Sequence, residues 1–169
     1  SFLVEGAVMD WSGVLLTEVK NMDIALAGTG YAIFSVAMLI MRLLGDKTVQ
    51  FLGEQKAVIG GSIVTAAGFA LVVVLDNLYL NAFAFILIGL GCANIVPVFY
   101  SLLKYQKGMP ISAAVTSVTS LGYTGVILGP ALLGFVAHGI NISAVFELVA
   151  LLLVIEAGIA KYVFCKLKM

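Results

Sequence analysis

Four long stretches without any charged residue constrain the fold of this chain more than any other feature. They are Ile24–Met41, Ala57–Leu75, Asn77–Leu103 and Gly108–Ala137. A bilayer core is crossed by about 20 helical residues, so each stretch can hold one transmembrane helix. Barrel strands would alternate apolar and polar residues, and runs such as Ala70–Leu75 do not, so we predict helices.

Two flanking segments are apolar except for a few ionisable residues, and we expect each to form one further helix. The prediction is an all-α membrane protein of six transmembrane helices, at about residues 1–18, 24–44, 56–75, 80–103, 111–137 and 142–164. Composition agrees, because only 11% of the residues are charged, against about 25% in soluble domains.

The basic residues indicate the orientation of these helices. Eight of the nine fall on one side of a six-span arrangement: Arg42, Lys47, Lys56, Lys104, Lys107, Lys161, Lys166 and Lys168. Lys20 alone falls on the other side. Since cytoplasmic loops are enriched in Lys and Arg, we expect a multi-pass protein of the bacterial inner membrane with both termini cytoplasmic. The formal net charge of zero gives no reason to expect a nucleic-acid partner.

Two acidic residues in the first predicted span are candidate functional groups. Asp10 is near mid-membrane, and helical spacing places it on one small, polar face with Gly6, Gly13 and Thr17. Glu5 lies deeper toward the cytoplasm on a different face. Carboxylates inside a membrane are often proton or cation sites, and the alternative is that these groups only hold helices together.

Polar residues also follow helical spacing on the fourth and fifth spans. Asn94, Pro97, Ser101 and Lys104 form one stripe, and Ser112, Thr116, Thr119 and Tyr123 form another. We expect Pro97 to kink its helix, because proline removes one backbone hydrogen bond. Asn94 and Ser101 could line a water-filled path with Asp10 and Glu5, or could simply form hydrogen bonds between helices.

Small residues are spaced for close helix packing. Gly125 and Gly129 form a small-x-x-x-small pair, followed by Pro130 and Gly134, and we expect Gly60, Gly61 and Gly68 to serve similarly in the third span.

The turn after the second span contains an acid in an unexpected place. Asp46 follows Arg42 and Gly45 and precedes Lys47, at the predicted C-terminus of a helix whose dipole disfavours an anion. A partner from another segment would explain its position, and an ordinary solvated turn is the alternative.

Nothing in the sequence predicts an enzyme, a cofactor or a metal site. Gly89 and Gly91 resemble the start of a dinucleotide fingerprint, but Asn94 stands at the third glycine and no strand precedes them. His138 has no candidate partner nearby. Cys92 and Cys165 form no metal-binding or disulfide pattern. For Glu147 and Glu156 we expect structural roles.

Together these motifs resemble the major facilitator superfamily. The turn from Arg42 to Lys47, with Gly53, is similar to the signature turn between the second and third helices of each half. The Gly125–Gly134 segment is similar to the glycine-proline pattern on the fifth helix of a half. Residues 5–12 and 89–97 resemble the seventh and tenth helices of poorly characterised bacterial members distantly related to sugar permeases.

The resemblance implies a twelve-helix transporter that works by alternating access, of which this chain is the C-terminal half, built as a 3+3 inverted repeat. It also implies that the first and fourth helices line the cavity, that the third and sixth are peripheral, and that Asp46 braces the cytoplasmic gate. The expected partners are the lipid bilayer, the N-terminal six-helix half and a small-molecule substrate.

We therefore predict a secondary transporter of a small organic solute, coupled to protons through Asp10. A non-transporting membrane sensor or assembly protein that keeps the fold is the alternative. The turn from Arg42 to Lys47, which we call the gate turn, and the central acid Asp10 favour transport, because a scaffold needs neither.

Overall fold

The computed structural model describes residues 2–106 and 108–167. Lys107 and Lys168, two of the eight basic residues behind the predicted orientation, lie outside this part. The described residues form eight α-helices: α1 (Phe2–Val14), α2 (Thr29–Leu43), α3 (Gly45–Leu52), α4 (Glu54–Val74), α5 (Leu78–Cys92), α6 (Ile95–Leu102), α7 (Ile111–Gly139) and α8 (Ile142–Leu167).

Most of these helices have the length and composition of membrane spans. Five segments of the described chain qualify: Ile24–Leu43, Glu54–Val74, Leu78–Tyr105, Ile111–Gly139 and Ile142–Lys166. The first helix is not among them, and with its terminal π-helical turn, Leu15–Val19, it carries Glu5, Asp10 and Glu18. The chain is thus an all-α protein with the helices of a membrane protein.

A break in the segment Leu78–Tyr105 separates α5 from α6. α5 ends at Cys92 and α6 begins at Ile95. Pro97 explains the break, because it has no N–H to donate to the carbonyl of Ala93 and its ring crowds that carbonyl. The predicted kink is confirmed.

The core lies where α4, α5 and α8 meet, and α2 packs on α5. Its largest fully buried side chains are aromatic, and Phe69 of α4 and Phe146 of α8 have ring centroids 5.6 Å apart. α4 approaches α5 most closely at glycines: a Cβ on Gly61 would lie 2.5 Å from the carbonyl oxygen of Gly91. A Cβ on Gly68 would lie 2.9 Å from the Ala84 oxygen, so the packing predicted for Gly61 and Gly68 is confirmed.

Gly60 and Gly125 pack against no neighbouring helix of the described chain, so the packing role predicted for them stays a prediction. A Cβ at either position would meet nothing within 4 Å in the described chain, because each glycine points away from the neighbouring helices. Pro130 is exposed within α7.

Three other glycines of α7, Gly122, Gly129 and Gly134, face side chains of α1. Gly129 is close to Leu3, and Gly134 is close to Trp11. The ring of Phe2 lies 6.0 Å from that of Tyr123, so residue numbers rise together along both helices. α1 and α7 therefore run in the same direction.

Candidate transport site

Charged side chains join helix termini at one end of the molecule. Arg42, in the last turn of α2, donates a hydrogen bond of 2.7 Å to Glu5 Oε1. Glu54, in the first turn of α4, accepts hydrogen bonds through Oε1 from Ser101 Oγ at 2.9 Å and from Lys104 Nζ at 3.3 Å. Arg42 and Glu54 line the same cavity, so both groups lie together. We call this the Glu5 end.

A second polar cluster, the Lys20 end, joins the opposite termini of α1 and α4. Lys20 Nζ donates to the carbonyl oxygen of Val73 at 2.6 Å and to Asp76 Oδ1 at 2.7 Å. The Lys20 side chain is only 3% exposed, whereas that of Asp76 is 86% exposed. The carbonyl belongs to the last turn of α4, where the helix dipole favours a cation. The basic residue that departs from the predicted charge asymmetry is therefore neutralised by its neighbours.

A polar cavity of about 290 Å³ opens at the Glu5 end and unites residues from two of the predicted motifs. The gate turn contributes Arg42, Gly45 and Asp46, and the stripe of the fourth span contributes Asn94 and Ser101. Asp10 does not line it. The structure thus brings the gate turn and the stripe of the fourth span into one site and leaves Asp10 outside it.

The position of Asp46 corrects the argument made from sequence. α2 ends at Leu43, and a new helix, α3, begins at Gly45, so Asp46 lies in a first helical turn. The dipole favours an anion there, and the predicted unfavourable position is wrong because the turn is itself helical. Arg42 pairs with Glu5 instead, and the side chains of Asp46 and Lys47 are exposed.

Asn94 faces the gate turn from the break between α5 and α6. It is only 5% exposed, and within the described residues its side chain makes no hydrogen bond. A Cβ on Gly45 would lie 2.5 Å from Asn94 Oδ1. Glycine at position 45 therefore lets α3 approach the helix break directly over this amide.

Asp10 lies on an open surface of α1. Its side chain is exposed, and none of the ion pairs among the described residues includes it. Gly6, one turn earlier, is also without close neighbours, but a Cβ on Gly13 would lie 3.1 Å from the Ala27 oxygen. Thr17 donates to the Gly13 carbonyl at 3.0 Å. Of the predicted polar face, Asp10 is exposed, whereas Gly6, Gly13 and Thr17 are half-buried.

The neighbouring helix α7 exposes a surface rich in hydroxyl groups. The exposed members are Ser112, Thr116, Ser117, Ser120, Tyr123 and Thr124. Thr119, less exposed, shares a hydrogen bond of 2.7 Å with the Tyr100 hydroxyl of α6. Thr116, Ser117 and Thr124 donate to carbonyls one turn earlier in α7, and the density of hydroxyl groups makes this surface suited to water or to other helices.

Sequence reasoning did not single out Glu54. It accepts two hydrogen bonds at the centre of the Glu5 end, and the available signal was a carboxylate in a first helical turn directly after Gly53. Glu147 is exposed and Glu156 is half-buried, and neither belongs to an ion pair of the described chain.

Comparison with known proteins identifies relatives along nearly the whole chain. It is 41% identical over 162 residues to an uncharacterised transporter of the major facilitator superfamily type from Yersinia pestis, covering 96% of this chain and 42% of the relative. It is 31% identical over 160 residues to an uncharacterised transporter from Sinorhizobium fredii, covering 95% of this chain and 42% of the relative. A membrane protein from Rhizobium meliloti, MosC, is 25% identical over 159 residues, covering 94% of this chain and 38% of the relative.

No family model and no solved structure matches the chain. The chain spans about two fifths of the length of these relatives. It is therefore a homologue of transporters of the major facilitator superfamily type and corresponds in length to less than half of one.

Proposed function

We propose that this chain is the C-terminal half of a secondary active transporter that moves a small organic solute across the bacterial inner membrane. The half consists of six membrane-spanning helices with both termini in the cytoplasm. It works by alternating access together with an N-terminal six-helix half, and proton movement through Asp10 drives the solute.

The exposed carboxylate of Asp10 is the observation that carries this proposal. It lies midway along α1, on a surface where no basic side chain of the described residues pairs with it. A bare carboxylate facing hydrocarbon would be costly, so we expect this surface to face a water-filled cavity. The hydroxyl-rich surface of α7, the helix that packs beside α1, supports the same orientation.

Helix packing supports a 3+3 repeat. An inverted repeat would relate α1 to α5, α2 to α7, and α4 to α8. Under this repeat, the contact of α2 with α5 corresponds to the contact of α7 with α1. The contact of α4 with α5 corresponds to the contact of α8 with α1. All four pairs pack in the structure. The first helix then counts as a span despite its three acids, which gives six.

The Glu5 end is the cytoplasmic end in this proposal. It carries Arg42, Lys47, Lys56 and Lys104, whereas the only lysine or arginine of the opposite end, among the described residues, is the buried Lys20. α3 and the polar cavity then lie at the cytoplasmic mouth, where Asp46 can contact the other half as the gate closes.

Topology and transport can be tested separately. In the full-length protein with its native cysteines replaced, a cysteine at position 104 should react with a membrane-impermeant reagent only after the cells are opened. A cysteine at position 76 should react in intact cells. The reverse labelling would contradict the orientation.

Transport is tested with purified full-length transporter in sealed vesicles. A panel of radiolabelled sugars and amino acids is screened for uptake that depends on an imposed pH gradient. Accumulation that collapses when an ionophore dissipates the gradient supports proton coupling. Uptake that equilibrates without any response to the gradient would contradict it.

A further inference from the structure

A groove on the outer side of α4 shares Asn94 with the polar cavity, and its other lining residues are different. It encloses about 300 Å³ between α2 and α4, with α5 as its floor, and residues of α3 close one end. Its lining includes Lys56, Gly60, Val64, Leu90, Gly91 and Asn94.

Glycines create this groove in two ways. Gly61 and Gly91 allow the backbones of α4 and α5 to contact each other directly. Because no side chain stands there, the groove is deeper at this point. Gly60 leaves the space above the floor open, because a Cβ there would meet nothing within 4 Å. The groove is therefore wide enough for a flexible chain. A larger side chain at position 60 would fill it.

The surface around the groove is suited to hydrocarbon. Beyond Lys56, the exposed residues of α4 are Gly60, Ile63, Val64, Ala67, Ala70 and Val74. The polar Ser62 and Thr65 of the same helix are buried. This arrangement is the reverse of the hydroxyl-rich surface of α7, so the groove opens toward lipid rather than toward an aqueous cavity.

Polar groups stand at one end of the groove. Lys56 is exposed and belongs to none of the ion pairs of the described residues, and Lys47 of α3 is also exposed. Lys56, Gly60 and Val64 are spaced one helical turn apart on the same face of α4. The charged Lys56 therefore lies at one end of the groove, and the apolar part begins one turn further along the helix. Asn94, nine-tenths buried and without a hydrogen bond among the described residues, also lines it.

We infer that this groove binds one anionic phospholipid. Its phosphate pairs with Lys56, one acyl chain lies along Gly60 and Val64, and the Asn94 amide donates to an ester carbonyl. A lysine at the end of a membrane helix can reach the headgroup layer while its stem remains in apolar surroundings. Basic residues there attract anionic lipid. The inference concerns lipid and does not depend on whether the protein transports.

Native mass spectrometry of the purified full-length transporter tests this inference, with phosphatidylglycerol and phosphatidylcholine as probes. Lys56→Gln should reduce retained phosphatidylglycerol about fivefold, the loss expected for one lysine near an anionic surface. Lys161→Gln, an exposed lysine of α8, is the matched control and should leave retention unchanged. Equal retention by the Lys56→Gln variant and the wild type would overturn the headgroup assignment.

A second pair of variants tests the acyl chain. Gly60→Leu should fill the groove and reduce retention of both lipids, whereas Gly158→Leu on α8, also without neighbours within 4 Å, should not. Elution volume and melting temperature establish that each variant is folded. Undiminished lipid retention by folded Gly60→Leu protein would overturn the proposal, as would equal losses in the two leucine variants.

Discussion

Arg42 Nη2 lies 2.7 Å from Glu5 Oε1, and this contact joins the first helix to the end of α2 beside the polar cavity. Their side chains are 44% and 33% exposed, respectively. Exposed ion pairs typically contribute about 0–1 kcal/mol, so we assign this one the role of fixing where α1 begins relative to the gate turn.

A double-mutant cycle measures the coupling between these two side chains. Glu5→Gln and Arg42→Gln should each lower the stability of the full-length transporter by at most about 1 kcal/mol. The double variant should lose less than the sum of the two, because each single variant already removes the shared bond. Strictly additive changes in the free energy of unfolding would show that the contact contributes nothing.

Lys20 should stabilise the fold mainly through the carbonyl at the end of α4. Lys20→Met removes two charge-assisted hydrogen bonds, for which we expect a loss of about 1–3 kcal/mol. Asp76→Asn should lose less than about 1 kcal/mol, because that carboxylate is exposed to solvent. Chemical unfolding in detergent compares the two variants. Equal losses would show that the exposed ion pair, not the Val73 carbonyl, dominates.

Gly91→Ala should be strongly destabilising. The new Cβ would lie 2.7 Å from the Gly61 carbonyl oxygen and 2.8 Å from the Thr65 backbone nitrogen, and neither can move without separating α4 from α5. Overpacking of this kind typically costs about 1–3 kcal/mol. Gly125→Ala is the control, because its Cβ meets nothing within 4 Å. Melting temperatures of the two variants should differ by several degrees, and indistinguishable values would contradict the close packing at Gly91.

Asp46→Asn should impair transport without impairing folding. Its side chain is exposed in this half and is proposed to contact the N-terminal half when the cytoplasmic gate closes. Glu18→Gln, an exposed acid near the opposite end, is the matched control. Initial uptake rates should fall severalfold for Asp46→Asn alone, with folded yield nearly unchanged. Wild-type uptake by the variant would contradict a role of Asp46 in the cytoplasmic gate.

The features predicted correctly from sequence depend on local chemistry. Pro97 breaks its helix because it lacks an N–H, and Gly61 and Gly68 pack closely because they lack a side chain. The effect of proline belongs to the residue itself, whereas a glycine only permits close packing, and Gly60 meets nothing within 4 Å in the described chain.

The features that sequence reasoning missed depend on contacts between distant segments. Ser101 and Glu54 are 47 residues apart, and their hydrogen bond depends on how α4 and α6 are rotated about their axes. Hydropathy does not specify that rotation for helices that are apolar on nearly every side. The pairing of Arg42 with Glu5 was missed for the same reason.

The helical turn at Asp46 was missed for a different reason. The sequence analysis treats this segment as a turn between two spans, whereas residues 45–52 form α3. They carry charge at Asp46 and Lys47 and apolar side chains at Val49 and Phe51, which suits a short helix outside the hydrocarbon.

Accumulation of solute against a pH gradient in vesicles containing the Asp10→Asn variant tests the central claim most directly. Asparagine imitates the proton-loaded carboxyl group, so solute binding and exchange should survive while pH-driven accumulation disappears. Glu147→Gln, an exposed acid of α8, should accumulate solute like the wild type. With one proton per solute, a gradient of about one pH unit should give the wild type about tenfold accumulation and Asp10→Asn none. An Asp10→Asn variant that concentrates solute as well as the wild type would contradict the account.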